Sequence, residues 1–460
     1  MTKRRLERIL MIRPNMGDFR SKDAMEPLAP ALLKSLTPPD IAFTFMDERV
    51  EPIDLEHSAD LVAITVETFT ARRAYQLSQH FRDRGIPVVM GGYHPTLCTE
   101  EVQQYADAVV VGDAEGVWQL LLKDFMSGEL RAVYRDTSPQ TQLHVQPDRS
   151  VFRNKRYAPL SLIQHGRGCR FVCDFCSIRS FYGSHQAAYS IEQTVRAFDE
   201  ARHRRVFFVD DNLFASKSAL IALLKVLVRY NRSVPFHRRK QWCCQISLDV
   251  CRDEAVLDLL AESGCFMVLI GFESLQADNL KEMAKGWNKG RPTYEQALQR
   301  LRQRNILVYG TFVFGYANDS VSSFAETVDF SIEQKLCIAN FNPLTPMPGS
   351  PVYDRLRTEG RLLHRRWWLE PDYHYGQAIF RPEGMTPEQL EQGCYDARLR
   401  FYAPGSIASR LMPWPVGQTS WKNLDIAVLA NWISRSEIRN KQGRHLGSVA
   451  QTDEAYADQT

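Results

Sequence analysis

Three cysteines stand close together in the run GRGCRFVCDFCSIRSFYG, spaced C-x3-C-x2-C: Cys169, Cys173 and Cys176. Thiolates are soft ligands, which favour iron–sulfur clusters, zinc or copper(I) over hard cations. A [4Fe–4S] cluster is normally held by four ligands, so three cysteines leave one iron open. An open coordination position is what distinguishes a catalytic metal centre from a structural one. Phenylalanines that interleave the cysteines are suited to screen a cluster from water: Phe171, Phe175 and Phe181.

A zinc site and metal-free structural cysteines are the alternatives. Zinc usually takes four ligands arranged as two pairs, and the sequence contains no second pair of cysteines with this spacing. Free cysteine often acts only as a small buried hydrophobe. We interpret five scattered cysteines in that way: Cys98, Cys251, Cys265, Cys337 and Cys394.

Polar side chains follow several apolar runs downstream of the cysteines. Asp210 and Asp211 end one run, and paired carboxylates accept hydrogen bonds from an ammonium group or bind a hard cation. Gln245 and Ser247 share one face of the next predicted strand, because side chains alternate along a strand. Glu273 ends the strand after that. Helix capping, a helix-dipole role and ordinary barrel packing remain alternatives for these residues.

The first ~145 residues alternate between apolar strands and helical stretches, which predicts a parallel α/β sheet. We expect five strands there: 9–14, 41–47, 60–66, 87–95 and 107–115. Ligands of such sheets bind beyond the carboxyl ends of the strands. Gly91 and Gly92 follow the fourth strand and allow a ligand to approach the backbone closely, although a plain turn explains them equally well. No GxGxxG motif indicates a nicotinamide site.

A polar, proline-containing stretch over ~130–160 reads as an interdomain linker, after which the alternation resumes. Six strands are predicted: 161–168, 205–216, 242–250, 266–274, 307–316 and 339–346. Six strand–helix units fit a partial (β/α) barrel, whose active site lies at the carboxyl ends of its strands. Residues 386–435 then show a helical pattern.

The cysteine run resembles the signature of the radical SAM superfamily. The resemblance implies that the three cysteines hold a [4Fe–4S] cluster, that the open iron binds S-adenosylmethionine (SAM), and that reductive cleavage releases a 5′-deoxyadenosyl radical. It also implies the SAM contacts, at positions matching family motifs: Asp210, Asp211, Gln245, Ser247, Glu273, Gly315 and Tyr182. Gly310 belongs to the same segment as Gly315, which in the family packs against adenine.

The segments MGGYHPT (90–96), DLVAITVET (60–68) and VVVGDAEG (109–116) together resemble the cobalamin-binding domain that precedes the barrel in one large radical SAM class. The resemblance implies cobalamin contacts at Thr65, Gly91, Gly92 and His94. Asp113 stands where this class usually has glutamate. DERVEP (47–52) lacks the histidine of the DxHxxG motif, so no histidine from that segment is expected on the lower face of the cofactor.

Composition fits a cytoplasmic, globular protein with 460 residues, 44% of them hydrophobic, and a net charge of +3. That charge is too balanced to indicate a nucleic-acid partner, and no run approaches the ~18 apolar residues of a membrane span. The N-terminal apolar run is shorter than the ~7–15 residues of a signal peptide. Ten cysteines in a reducing compartment favour metal binding over disulfides.

The resulting fold class is α/β: a Rossmann-like cobalamin-binding domain (1–140), a partial (β/α)6 radical SAM barrel (155–350), a C-terminal aromatic and helical region (351–445) and a disordered tail (446–460). The resemblance implies a cobalamin-dependent methyltransferase acting on an unactivated carbon, served by an electron donor such as flavodoxin or ferredoxin. The aromatic segment from Trp367 to Phe380 is expected to line the pocket, which suits an apolar or ring-bearing small molecule. A radical SAM cyclase or rearrangement enzyme, and a non-enzymatic cobalamin or metal sensor, are the alternatives.

Overall fold

Two six-stranded parallel sheets form the framework of the protein. The computed structural model describes residues 4–136, 143–213, 216–286, 293–411 and 423–447. The first sheet has the strand order β2-β1-β3-β4-β5-β6, and the barrel sheet has the order β14-β13-β12-β11-β10-β7. The strands of the first sheet are β1 Arg8–Arg13, β2 Ala42–Asp47, β3 Leu61–Thr65, β4 Val88–Gly91, β5 Ala108–Val111 and β6 Val133–Arg135. The strands of the barrel sheet are β7 Ser161–Ile163, β10 Arg205–Phe208, β11 Gln241–Gln245, β12 Cys265–Glu273, β13 Leu307–Phe314 and β14 Ile338–Pro343. A short antiparallel pair, β8 Gly166–Arg167 and β9 Ala187–Ala188, flanks the cysteine run.

Helices follow the strands in both units. Those of the first unit are α1 Leu28–Leu36, α2 Ala71–Asp83, α3 Tyr93–Leu97, α4 Thr99–Val102 and α5 Trp118–Ser127. Those of the barrel are α6 Ser177–Tyr182, α7 Ile191–Glu200, α8 Lys217–Ser233, α9 Glu254–Glu262, α10 Ala277–Glu282, α11 Tyr294–Gln303 and α12 Val321–Glu333. After the last strand come α13 Pro351–Thr358, α14 Pro387–Phe401, α15 Pro404–Leu411 and α16 Leu424–Lys441.

The burial of the strands reflects their place in the sheets. Strand β5 is buried at every position, as expected for a central parallel strand covered by helices on both faces. Strand β13 alternates instead: Gly310 and Phe312 are buried beneath the outer helices, whereas Tyr309 and Thr311 are partly exposed on the inner face of the barrel sheet. The inner face therefore retains space for a ligand at the carboxyl ends of the strands.

All eleven predicted strands are present, and the α/β architecture is confirmed. Strand β6 was missed, because it is only three residues long and lies in the polar stretch read as a linker. Along the chain that the structure describes, no helix is long and apolar enough to cross a membrane. Most of the predicted disordered tail, 448–460, lies outside the described residues.

The segment after the barrel returns to the first sheet. Trp367 and Trp368 are almost completely buried, at 0% and 2% exposure. They belong to the hydrophobic core that contains Val62, Ile64 and Tyr75 of the first unit. The core of one sheet is thus completed by residues that follow the other sheet in sequence.

Candidate active site

The three cysteines lie in one loop between β8 and α6, each partly exposed. The amide of Cys176 donates to the carbonyl of Cys173 over 3.2 Å, which forms a turn. Gly168, directly before Cys169, has a φ of +82°. A Cβ there would lie 2.3 Å from the carbonyl oxygen of His185, so this entrance to the loop requires glycine.

Burial raises the pKa of the Cys173 thiol to about 12 and that of the Cys176 thiol to about 11. Lys285 opposes the rise at Cys173, and the neighbouring thiols add to it at both positions. The thiols therefore stay protonated at neutral pH until a metal displaces the protons, as metal binding to cysteine requires.

The donor set fits a cluster better than a single metal ion. Within the described ranges, no three His, Cys, Asp or Glu side chains converge closely enough to hold one ion. A [4Fe–4S] cluster binds each cysteine through a different iron, so thiols spread along one loop suit it.

Asp174, between the second and third cysteines, fixes the loop to the rest of the barrel. Its carboxylate accepts hydrogen bonds from the Tyr316 hydroxyl at 2.7 Å and from Arg355 at 3.0 Å. Arg355 also pairs with Glu282 at 3.1 Å. The Asp174 amide donates to the carbonyl of Met283 at 3.1 Å. No local pattern predicts these partners, because they lie far along the chain from Asp174.

A buried ion pair lies at the carboxyl end of β12, beside the cysteine loop. Glu273 has a φ of +63°, and its Oε1 is 2.6 Å from the Nζ of Lys285. The ammonium group also donates to the carbonyl of Gly271 at 2.9 Å. Each of the two paired side chains is only 9% exposed. Glu273 lies at the strand end where the sequence places a SAM contact, whereas Lys285 was not singled out from sequence.

The adjacent carboxylates Asp210 and Asp211 have different surroundings. Asp210 is buried and accepts the amides of His165 at 2.8 Å and Gly166 at 2.6 Å. Burial raises its pKa to about 7. Asp211 accepts the amide of Gly168 at 2.8 Å and lines a cavity. Of the two, Asp211 is therefore the one available to a ligand.

Gln245 and Ser247 also separate. Gln245 is exposed at the carboxyl end of β11, where a ligand can reach it. Ser247 is buried, accepts a hydrogen bond from Asn212 at 3.3 Å and donates one to Asp249. Asp249 in turn pairs with Arg170 of the cysteine loop. Ser247 thus takes part in a polar chain that supports the loop.

A cavity of about 380 Å³ separates the carboxyl ends of the first sheet from the barrel. It brings together five of the predicted site residues, from both cofactor sets: Thr65, Gly91, Gly92, Tyr182 and Asp211. Much of the wall is apolar, including Leu28 and Leu32 of α1. Strand ends of the two units thus face each other across this cavity.

The sheet side of this cavity offers room for a large flat ligand. Gly92 has a φ of +114°, and a Cβ there would lie 2.9 Å from the carbonyl oxygen of Val66, so this turn requires glycine and places no side chain in the wall. Gly112 has a φ of +81°, and a Cβ built there would have no atom of the described residues, its chain neighbours aside, within 4 Å. Ala63 and Ala114 add two more small side chains to the lining. The residues present therefore fit cobalamin.

A polar corner closes the cavity where the two units meet. The guanidinium of Arg167 pairs with Asp113 at 3.0 Å and Glu115 at 2.6 Å, and donates to Gln164 at 2.8 Å. The Tyr182 hydroxyl donates to the other carboxylate oxygen of Asp113 at 3.4 Å. All five of these side chains line the cavity. Sequence reasoning noted Asp113 but missed Arg167, although it stands two residues before the first cysteine.

Nine of the predicted site residues do not line this cavity: Cys169, Cys173, Cys176, Asp210, Gln245, Ser247, Glu273, His94 and Gly315. His94 is fully buried, and its Nε2 lies 3.1 Å from both Glu101 and the hydroxyl of Tyr75. These two contacts hold the His94 side chain in the core of the first unit, so His94 supports the loop after β4 and does not reach the cavity. Gly315 has a φ of +112°, and a Cβ there would lie 2.8 Å from Phe380, so its surroundings are the C-terminal region. Gly310 similarly packs against Phe272 and Leu336.

The expectation that the aromatic segment after the barrel lines the pocket is wrong. Trp367, Trp368, Tyr373 and Phe380 are buried in hydrophobic cores, and none of them lines this cavity. The indole of Trp368 donates to Glu101 at 2.9 Å. Aromatic composition predicted burial correctly but did not indicate which cavity or core the rings would fill.

Comparison with known proteins gives the family. Residues 163–331 match the radical SAM superfamily. The chain is 31% identical over 387 residues to bacteriochlorophyllide d C-12(1)-methyltransferase of Chlorobaculum tepidum, covering 81% of this chain and 82% of the relative. This protein belongs to the radical SAM superfamily. It is therefore a radical SAM enzyme, and its family cofactors are a [4Fe–4S] cluster and SAM.

Two further likenesses agree with this membership. Bacteriochlorophyllide d C-8(2)-methyltransferase of the same organism is 28% identical over 371 residues, covering 76% of this chain and 80% of the relative. The solved structure of the radical S-adenosylmethionine methyltransferase TsrM from Kitasatospora setae, with cobalamin and a [4Fe–4S] cluster bound, has a TM-score of 0.66 at 17% identity. It covers 95% of this chain and 99% of TsrM. The predicted fold class is confirmed.

Proposed function

We propose that this radical SAM enzyme is a cobalamin-dependent methyltransferase that acts on an unactivated carbon of a ring-bearing small molecule. The observation that carries the proposal is the cavity that joins the glycine-lined strand ends of the first sheet to Arg167 and Tyr182, which flank the cysteine loop of the barrel. When bound, the cluster and SAM would supply a 5′-deoxyadenosyl radical, and cobalamin would supply the methyl group. Both bacteriochlorophyllide methyltransferases make a chlorophyllide macrocycle the first substrate to test.

The chain itself contributes positioning and exclusion of water. Cys169, Cys173 and Cys176 would hold the cluster, and Asp211 offers a carboxylate at the neighbouring strand end. Thr65, Gly91 and Gly92 would lie against cobalamin. The apolar wall formed by α1 keeps water away from reactive groups, and holding reactants in place is itself a large part of catalysis.

The other parts of the proposal concern partners and location. A flavodoxin or ferredoxin would provide the reducing electron. Cytoplasmic location, and the lack of a nucleic-acid partner, stay predictions from cysteine content and net charge.

The test is anaerobic reconstitution with iron and sulfide, followed by incubation with SAM, reductant, hydroxocobalamin and bacteriochlorophyllide d. We expect 5′-deoxyadenosine, S-adenosylhomocysteine and a singly methylated macrocycle in the mass spectrum. Formation of 5′-deoxyadenosine with an altered but unmethylated macrocycle would contradict the methyltransferase and favour a cyclase or rearrangement.

A further inference from the structure

Arg167 is a buried cation at the place where loops from both sheets meet. It belongs to β8 of the barrel unit, two residues before Cys169, and is 7% exposed. Its two carboxylate partners, Asp113 and Glu115, follow β5 of the first sheet at 3.0 and 2.6 Å. This residue thus joins the predicted cobalamin loop directly to the predicted cluster loop.

The three nitrogens of the guanidinium are each committed to a different acceptor. Nη1 meets Asp113, Nη2 meets Glu115 and Nε donates to Gln164 at 2.8 Å. Because the guanidinium is a planar fork with fixed donor directions, these acceptors fix the orientation of the side chain. The loop at 113–115 cannot shift without moving residue 167.

The cysteine loop is held by hydrogen bonds at both of its ends. At its start, the amide of Gly168 donates to Asp211 at 2.8 Å, directly before Cys169. At its far end, the Tyr182 hydroxyl of α6 reaches Asp113 at 3.4 Å. Asp113 therefore receives Arg167 from one end of the loop and Tyr182 from the other, and all of these side chains border the cavity.

We propose that Arg167 is a positioning residue that couples the two cofactor sites, so that ordering of the cysteine loop by its cluster strengthens cobalamin binding on the facing loop. The inference rests on the proposed cobalamin site. By linkage the effect is reciprocal. Loss of the guanidinium leaves the carboxylates of Asp113 and Glu115 without the cation that they share, so the 113–115 loop and the cysteine loop can move separately.

The test measures the dissociation constant of hydroxocobalamin anaerobically, by difference absorption, in two forms of the full chain. One form carries the reconstituted cluster, and the other is the Cys169→Ala, Cys173→Ala, Cys176→Ala triple variant. We expect the cluster form to bind at least about fivefold more tightly, the lower end of typical coupling. With Arg167→Gln in both forms, the ratio should fall to about 1, within error.

Arg196→Gln is the matched control. Arg196 lies in α7 of the barrel unit, where its side chain is 72% exposed and pairs with Glu200 of the same helix, so this variant should keep the ratio of the wild type. If Arg167→Gln does not fold, Glu115→Gln tests the same coupling, because it removes the charge of one of the two carboxylates that pair with Arg167.

Two outcomes would overturn the inference alone: equal affinities in the two wild-type forms, or an undiminished ratio in Arg167→Gln or Glu115→Gln. A wild-type holoprotein that binds no hydroxocobalamin would overturn the inference together with the proposed cobalamin site. Because the readout is affinity, a failure of methyl transfer with intact coupling would count against the proposed reaction only.

Discussion

Adjacent residues in this site do different physical work, and Asp210 and Asp211 are the clearest pair. Sequence placed both at the end of β10 but could not separate them, because their roles depend on loops distant in the chain. The buried carboxyl of Asp210 holds the amides of His165 and Gly166, while Asp211 reaches the cavity. The residue types therefore predicted that this pair belongs to the site, but only the tertiary packing shows which carboxylate is structural and which is available to a ligand.

The raised pKa of Asp210, about 7, predicts a pH-dependent contribution to stability. Because the folded-state pKa lies above the ordinary value of 3.8, this contribution is present below about pH 4 and is lost as the pH rises through 7. We expect the free energy of unfolding of the wild type, relative to Asp210→Asn, to fall by about 3 kcal/mol between pH 5 and pH 8. Urea titrations of both proteins check this. An unchanged difference at the two pH values would show that the carboxyl ionises freely in the fold.

Cys173→Ala should remove the cluster, because the loop offers only three thiols, and burial raises the pKa of the Cys173 and Cys176 thiols until a metal binds. We expect loss of the iron–sulfur absorption and EPR signals, and of 5′-deoxyadenosine formation. Cys98→Ala is the control, since Cys98 lies in the first unit and is packed against its core. Retention of a full cluster by Cys173→Ala would contradict the ligand assignment.

The cysteine ligands were predictable because their spacing is local, within eight residues. The groups around them were not. Lys285, Tyr316 and Arg355 reach the loop from more than 100 residues away. Nothing in their own flanking sequence marks them, so only the folded barrel reveals which cations and hydroxyls surround the thiols.

At the scale of elements, the parallel topology of the sheets was sufficient to predict much of the site. Carboxyl ends of parallel strands share one edge, so locating the strands was enough to bring Thr65, Gly91 and Asp211 to one cavity. Helix α13 shows the limit of this reasoning. The prolines and glycine before it do not predict a helix, yet its Ser350 cap and its Arg355 place it against the cysteine loop.

Arg355→Ala should loosen the cysteine loop, because Asp174 then loses a charged partner while it stays buried. Since Arg355 is itself one-third exposed, we expect a loss of about 1–2 kcal/mol in the free energy of unfolding. Hydrogen exchange in 169–176 should quicken, and iron content after reconstitution should fall. Arg357→Ala on the same helix is the control, because Arg357 pairs only with the exposed Asp354 among described carboxylates. Equal effects of the two variants would mean that the helix, not the ion pair, supports the loop.

At the scale of the whole molecule, the proposed division at residue 140 does not coincide with a division of the cores. Tyr353, Trp367 and Trp368 follow the barrel in sequence but pack beneath the first sheet. The indole of Trp367 also donates to the carbonyl of Pro346, just beyond β14. Apolar side chains from both ends of the chain therefore fill one core, which should make the two sheets unfold together.

Trp368→Ala tests this cooperativity. Removing a buried indole, and with it the hydrogen bond to Glu101, should lower the free energy of unfolding by about 3–5 kcal/mol. If the sheets unfold as one unit, hydrogen-exchange protection should fall by the same amount in β3 of the first sheet and in β12 of the barrel. Trp432→Ala is the matched control: Trp432 is 70% exposed, and its loss should change stability by less than about 0.5 kcal/mol. Reduced protection in β3 with unchanged protection in β12 would show that the sheets unfold independently. The C-terminal segment would then stabilise only the first sheet.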